Sequence, residues 1–167
     1  MDPVTTLFIL SSSLILSIHS PVEAAKVNPQ ITVMGIVYCD TCSNNTFSRH
    51  SYFMPGVEVR LDCTFKAHSR RTTEQVSFSV NRTTDKYGIY RLRVPSVDGI
   101  QCARDKAMES SCRANLISSS SSSCNVPGHT TTTDEIEVKS SRANLCIYSL
   151  SALSYRPSQI DITLCQN

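Results

Sequence analysis

Two cysteines three positions apart, Cys39 and Cys42, form the sharpest chemical motif of the chain. A C-x-x-C spacing serves redox catalysis when a lowered thiol pKa activates one sulfur, usually at the N-terminus of a helix. Here the motif follows a segment rich in β-branched residues, which predicts a strand, and six further cysteines are available as partners. We therefore interpret the motif as a corner from which two structural disulfides leave in different directions.

Other catalytic and metal-binding patterns are missing from the sequence. A zinc site would need a second C-x-x-C or paired histidines, and His50, His68 and His129 have no such spacing. The chain contains no G-x-S-x-G, H-E-x-x-H or Walker-type motif. These observations favour a protein that is not an enzyme and that uses neither a cofactor nor a metal.

Several basic residues suggest a binding surface instead. If the strands that carry them are neighbours, guanidinium and ammonium groups would share one outer face and could bind a polyanion by charge-assisted hydrogen bonds. Pectic polysaccharides are carboxylate polyanions of this kind. The alternative interpretation is an ordinary solvated sheet face, or charges that protect an edge strand. The candidate polyanion-binding residues are Lys66, Arg70, Arg71, Arg91 and Arg93, with Arg60 on an earlier strand.

The N-terminus predicts export. The apolar block Leu7–Ile18 is too short to cross a bilayer, which needs about 20 residues. Val22 and Ala24 occupy the −3 and −1 positions of a signal-peptidase site, although the preceding segment has no Lys or Arg. We expect a signal peptide over residues 1–24, a single domain over residues 25–167, and no membrane span after cleavage. Loss of two acidic residues with the leader would raise the formal net charge from +2 to +4.

A secreted chain gives its cysteines and sequons a specific meaning. Eight cysteines follow the leader, and an even number in an exported chain indicates four disulfides, with 105 possible pairings. Two N-glycosylation triplets begin at Asn44 and Asn81, both in stretches interpreted as loops or turns. An extracellular location also makes nucleic acid an unsuitable partner. The cysteines are Cys39, Cys42, Cys63, Cys102, Cys112, Cys124, Cys146 and Cys165.

The elements that position these residues follow a period of two. Apolar and polar residues alternate over 57–65, 76–80 and 90–94, which is typical of half-buried strands. Strands are also predicted over 31–38 and, more weakly, over 112–117, 135–139, 146–150 and 160–164. Turns are predicted over 54–56, 85–88, 95–99 and 125–128, a short helix over 102–111, and a solvated loop at the serines 118–123. Many short strands with intervening turns indicate an antiparallel sandwich or barrel.

The segment that contains Cys39 and Cys42 resembles a known family. Gly35–Cys42 (GIVYCDTC) is similar to the signature of the pollen Ole e I allergen and extensin family, and the similarity covers nearly all of the mature chain. It continues through Phe47, Val59–Cys63, Gly88–Tyr90 and Cys112–Ser118. Unlike extensin-like members with proline-rich arms, this chain has only five scattered prolines after residue 24, so it corresponds to the globular module alone.

The resemblance implies fold, pairing and function. It implies an all-β sandwich or barrel of about seven strands, and a secreted, often glycosylated protein of the extracellular space or cell wall without catalytic activity. The implied pairs are Cys39–Cys124, Cys42–Cys146 and Cys63–Cys112, which leaves Cys102 and Cys165 as a fourth pair.

Three functions follow as hypotheses. The first is a wall protein that binds pectic polysaccharide or wall glycoprotein during growth, for example of pollen tubes or root hairs. The second is a ligand for the ectodomain of a plasma-membrane receptor kinase. The third, an inhibitor of a wall hydrolase or protease, rests only on the disulfide-stabilised scaffold.

Overall fold

The computed structural model describes residues 30–67, 75–94, 108–133, 137–142 and 145–165. Several of the predictions concern residues outside these ranges. They are the signal peptide, the basic residues Arg70 and Arg71, the turn over 95–99 and Cys102. Within the described ranges the backbone forms ten strands and one helical turn. These elements are β1 (Gln30–Cys39), β2 (Tyr52–Phe53), β3 (Glu58–Ala67), β4 (Gln75–Thr83), β5 (Ile89–Val94), β6 (Met108–Ser118), β7 (Cys124–Pro127), β8 (Glu137–Arg142), β9 (Leu145–Ser149), β10 (Leu153–Pro157) and α1 (Ile162–Cys165).

The strands form two sheets, which confirms the all-β prediction. The larger sheet has seven strands, with the order β7-β10-β1-β9-β8 and with β2 and β5 also paired to β1. The smaller sheet has the order β4-β3-β6 and is antiparallel throughout. The larger sheet differs from the expected antiparallel arrangement because β1 runs parallel to both β9 and β10.

Strand β1 is central because it changes partners halfway along its length. Its first part, residues 30–36, pairs with β5 on one side and with β9 on the other. Its last part, residues 37–39, pairs instead with β2 and β10. At the change the backbone N–H of Val37 donates to Gly88, and its carbonyl accepts from Met54. Strand β2 and the turn before β5 are therefore held side by side at one end of the molecule.

The core lies between the two sheets. On β3 the alternation is regular, so that Val59, Leu61, Cys63 and Phe65 are buried while the intervening side chains point outward. Phe65 reaches across to Tyr148 on β9, with ring centroids 6.5 Å apart. Burying one face of each sheet against the other is the arrangement that period-two patterning predicts.

A glycine on β1 leaves space for a buried tyrosine. Gly35 pairs in register with Tyr90 on β5, and a Cβ atom at position 35 would lie 2.1 Å from the Tyr90 hydroxyl oxygen. The Tyr90 ring covers the glycine backbone and is fully buried, and this burial raises the pKa of its hydroxyl. The first residue of the family-like segment is therefore required by packing.

Three predicted elements are wrong, and the first is the turn predicted over 125–128, where residues 124–127 form strand β7. The helix predicted over 102–111 is contradicted at its end, because β6 begins at Met108; residues 102–107 lie outside the described residues. The strand predicted over 160–164 is instead the helical turn α1. Asp161 accepts hydrogen bonds there from the backbone N–H groups of Thr163 and Leu164, as a helix N-cap does.

Candidate functional site

The C-x-x-C corner is a structural junction. Cys39 is bonded to Cys124 on β7, and Cys42 is bonded to Cys165 at the end of α1. Both sulfurs are thus held by different partners, as the sequence interpretation expected. A redox pair would require these two cysteines to bond to each other.

The predicted disulfide pairing is correct in part. Cys39–Cys124 and Cys63–Cys112 are present, whereas the predicted pairs Cys42–Cys146 and Cys102–Cys165 are both wrong because Cys42 is bonded to Cys165. Cys146 is also disulfide-bonded. Its Cα position on β9 is next to the first half of β1, and it is the last half of β1 that leads to Cys42. Cys102 lies outside the described residues.

The two residues inside the motif organise the loop that follows. The carboxylate of Asp40 is fully buried and accepts hydrogen bonds from the backbone N–H groups of Asn44 and Asn45, at 3.3 and 2.7 Å. The hydroxyl of Thr41 donates to the carbonyl of His50 at 2.9 Å. Asn45 has a left-handed backbone with φ of 63°, which Asn tolerates better than most residues. Its side chain accepts a hydrogen bond from Arg156 on β10.

This ordered loop presents aromatic rings to solvent. Phe47 stacks on Phe53 of β2, with ring centroids 5.0 Å apart and an interplanar angle of 24°. Tyr38 packs against Phe47 in a T-shaped arrangement, with ring centroids 5.2 Å apart, and is itself buried. Phe47 remains 51% exposed and Phe53 44% exposed, although both are large apolar side chains. Exposed aromatic residues held in fixed positions are typical of binding surfaces.

The turn between β4 and β5 adds a further ring. Asp85 accepts hydrogen bonds from the N–H groups of Tyr87 and Ile89, which fixes the turn and leaves Tyr87 58% exposed. Gly88 has φ of 70° and packs so closely on Phe53 that a Cβ atom would lie 2.9 Å from the Phe53 Cβ. We call the exposed rings of this region the aromatic end, defined by Phe47, Tyr52, Phe53 and Tyr87.

An open groove of about 450 Å³ continues from the aromatic end. Its lining consists of Tyr52, Met54 and Pro55 together with Ser120, Ser121 and Ser122 of the serine run. Residues 119–123 form the predicted loop between β6 and β7, and the Ser119 hydroxyl donates to the Cys124 carbonyl at 2.8 Å.

The described candidate cations are divided between the two sheets. Arg60 lies on β3 in the smaller sheet, whereas Arg91 and Arg93 lie on β5 in the larger sheet, so their strands are not neighbours. Arg91 also donates to Asp85 at 3.0 Å. Partial desolvation raises the pKa of Asp85. The backbone N–H groups of the turn and the charge of Arg91 outweigh this effect and hold that pKa below its ordinary value. Arg93 is exposed and so is Lys66, while Arg70 and Arg71 lie outside the described residues.

Arg60 belongs instead to a set of paired polar groups. On the outer face of the smaller sheet, Asp62 accepts from the hydroxyl of Ser79 at 2.6 Å and from Arg60 at 3.3 Å. The Ser79 hydrogen bond, opposed by desolvation and supported by Arg60 and Arg113, holds the pKa of Asp62 below its ordinary value. We call this surface the polar face. Its side chains are Glu58, Arg60, Asp62, Thr64, Ser77, Ser79, Asn81 and Arg113.

The two sequons lie in different settings. Asn44 is exposed in the loop after the corner, as predicted, and its side-chain oxygen accepts from the N–H and the hydroxyl of Thr46. Asn81 is exposed too, but it lies within β4 and not in a turn, which corrects the prediction. Its side-chain amide donates to Glu58 at 3.1 Å.

No metal site was found in the described ranges, where His, Cys, Asp and Glu nowhere form a group of three suited to a metal ion. Among the described residues, no helix is long and apolar enough to cross a membrane.

Comparison with known proteins identifies the family. A family model described as pollen protein Ole e 1 like matches residues 29–149, which is more than half of the chain. The chain belongs to this family. A pollen-specific protein-like relative from Arabidopsis thaliana is 39% identical over 62 residues, covering 37% of this chain and 33% of that protein. Pollen allergen Cro s 1 of Crocus sativus is 28% identical over 130 residues, covering 77% of this chain and 68% of that protein. The matched parts therefore span between one third and about two thirds of these relatives.

The family fold is also found among solved structures. The crystal structure of the major plantain pollen allergen Pla l 1 aligns with a TM-score of 0.51 at 24% identity, over 79% of this chain and 97% of that one. At that identity the similarity concerns the fold alone. In this fold the motif Cys39–Cys42 has a structural role, because its two disulfides connect the end of β1 to β7 and to α1.

The aromatic end was missed by sequence reasoning. Phe47 was noted only as part of the family resemblance, and Phe53 and Tyr87 lie in predicted turns or next to them. A signal was available, because large aromatic residues in otherwise polar connecting segments have no core to enter. What the sequence could not give is their convergence, which depends on the partner change along β1.

Proposed function

We propose that this chain is a secreted, non-enzymatic protein of the plant extracellular space, and that it binds the ectodomain of a plasma-membrane receptor through the aromatic end. The observation that carries this proposal is the stacked, half-exposed pair Phe47 and Phe53 on a loop fixed by Asp40. Aromatic side chains dominate the binding energy of protein–protein interfaces. Because the loop is already ordered, little conformational entropy is lost on binding.

The surroundings of the two rings support a protein partner. Lys86 lies 4.9 Å from the ring centroid of Tyr87, so a cation borders the apolar surface. An apolar centre with a charged rim is the usual anatomy of a protein interface. By contrast, two of the cations expected to bind a polyanion, Arg60 and Arg91, are paired with carboxylates of the chain itself.

The test is a binding assay on plasma membranes freed of wall material. Oxidised, glycosylated protein is labelled and titrated, and the parent is compared with Phe47→Ala combined with Phe53→Ala. We expect saturable binding that protease treatment of the membranes abolishes and that the double substitution weakens by at least about tenfold, the effect of losing interface hot spots. Ile117→Ala is the control, since Ile117 is similarly exposed but lies on β6.

A parental affinity in the double variant, or binding that does not saturate, would contradict the proposal. Melting curves of both variants must match the parent, because a loss of binding through unfolding would not report on the surface.

Attachment to pectic polysaccharide is the second candidate, favoured by the exposed cation Arg93 and by the formal charge of +4 expected after leader removal. It predicts retention on de-esterified pectin that about 0.5 M salt largely abolishes, because screening then acts within a few ångströms. Arg70→Glu with Arg71→Glu should weaken retention. If the charge-reversed protein is retained as well as the parent, this candidate is excluded.

A further inference from the structure

We propose that an N-linked glycan on Asn81 protects the open edge of β4 and prevents this strand from pairing with a second copy of the chain. The proposal depends on export of the protein and is independent of what the aromatic end binds. It follows from the hydrogen-bonding edge of β4, from the composition of that strand and from the position of the sequon.

Strand β4 has one free edge in the described structure. It pairs with β3 from Thr83 to Gln75 without a register shift, and no described strand pairs with its other side. The N–H of Thr84, just after the strand, donates to the carbonyl of Val57, just before β3. Since backbone groups alternate in direction along a strand, the groups that face the open edge belong to Gln75, Ser77, Ser79, Asn81 and Thr83.

The corresponding edge of β6 is covered, which shows what β4 lacks. There, Leu116 donates to the carbonyl of Thr130, and Thr132 donates to the carbonyl of Ala114, at 2.9 and 3.0 Å. The outer strand β7 of the larger sheet is protected differently, because it has only four residues and ends in Pro127.

The first seven residues of β4 offer none of the usual protection of an edge strand. Proteins protect edge strands with charges, prolines, bulges or short length. The first seven residues of β4, QVSFSVN, contain no charge, no proline and no glycine, and the strand has nine residues. Short uncharged segments of high β-propensity are the type that associates through strand pairing. The first charge is Arg82, whose guanidinium donates to the carbonyl of Asn81 at 2.8 Å and so occupies one acceptor.

Asn81 lies where a glycan would close this edge. It starts the sequon Asn81-Arg82-Thr83, its side chain is exposed on the polar face, and its own backbone groups face the open edge. The amide now donates to Glu58, and an N-linked amide would retain one N–H for this bond. A bulky, hydrated saccharide at this position would prevent the close approach of strands, about 4.8 Å, that pairing requires.

The test compares glycoforms of protein secreted from eukaryotic cells. Thr83→Ala removes this sequon but keeps Asn81 and its bond to Glu58, and Thr46→Ala removes the other sequon as the matched control. Intact-mass analysis reports the glycans, and light scattering coupled to size exclusion reports the molar mass over a concentration series. We expect the parent and Thr46→Ala to be monomers with a glycan at Asn81. Thr83→Ala should at least double its weight-average mass as concentration rises.

Two further samples keep the result interpretable. Endoglycosidase trimming of the folded parent to a single sugar should promote the same association without any risk of misfolding during synthesis. Ser77→Lys added to Thr83→Ala should restore the monomer, because a charge then lies on the open edge. The proposal is overturned if secreted parent carries no glycan at Asn81, if trimmed and Thr83→Ala proteins both stay monomeric, or if Ser77→Lys does not reverse the association.

Discussion

The aromatic end and the polar face are both exposed, yet their side chains are used in opposite ways. On the polar face, Arg60, Asp62 and Ser79 satisfy one another across neighbouring strands. At the aromatic end, buried polar groups such as Asp40 hold the backbone, while Phe47 and Phe53 are left half-exposed. The amount of charge on a surface is therefore no measure of its capacity to bind a partner. The polar groups of the polar face hydrogen-bond to one another and contribute to solubility. At the aromatic end the backbone is held by buried hydrogen bonds, so the exposed rings remain available to a partner.

Removing one disulfide at a time should give the largest difference between the aromatic end and the polar face. Cys39→Ala with Cys124→Ala opens a loop of 85 residues, and Cys63→Ala with Cys112→Ala opens one of 49 residues. Loop-closure entropy predicts that either change lowers the free energy of unfolding by about 4 kcal/mol. Only the first should also weaken binding through the aromatic end, because Cys39 adjoins the loop that carries Phe47. Chemical denaturation and the membrane-binding assay measure the two effects, and equal loss of binding in both variants would erase the distinction.

Carboxylate removal gives the next largest contrast. Asp40→Ala leaves the N–H groups of Asn44 and Asn45 without their buried acceptor, so we expect a loss of about 1–3 kcal/mol in unfolding free energy. Asp62→Ala removes an exposed pair and should cost less than about 1 kcal/mol. Urea melts of the two variants provide the comparison. A larger cost for Asp62→Ala would mean that the polar face contributes more to folding than its exposure suggests.

Lowering the pH should reduce the free energy of unfolding through Asp62 of the polar face, by a smaller amount than the substitutions above. The folded-state pKa of Asp62 is lowered, so its contribution to stability is present above its unfolded pKa of about 3.9 and is lost as the pH falls through the folded value. With solvent screening we expect at most about 0.5 kcal/mol. Stability should therefore be unchanged by Asp62 between pH 7 and 5. Below pH 4 the parent should lose slightly more stability than Asp62→Asn, in thermal melts over this range.

The fold was predictable where the pattern of burial is local. Period-two alternation predicted β3, β4 and β5, since each of these strands has one face in the core. Strand β2 was missed because two residues are too few to show a period, and β7 was interpreted as a turn because its sequence, CNVP, is followed by Gly128. An outer strand can tolerate Pro127, so proline was a misleading signal there.

The non-local features could not be read from the residues alone. The parallel pairs of β1 depend on where distant segments return, and nothing in residues 30–39 distinguishes parallel from antiparallel neighbours. The same limit explains the wrong partner for Cys42, because the family pattern was extended to a chain with two additional cysteines. The alternation of Ile160, Ile162 and Leu164 resembled a strand, but Asp161 caps a helical turn whose apolar side chains are exposed.

The bond between Cys42 and Cys165 also determines what a single proteolytic cut can release from the molecule. It joins positions 123 residues apart, so the loop that it closes contains the strands from β2 to β10. A protease that cuts once anywhere between these residues produces two peptides that stay covalently attached to each other. Shedding of a fragment by a single cut within that span therefore requires a reductant as well, and the nicked protein keeps the mass of the uncut one, apart from one added water, until its thiols are released.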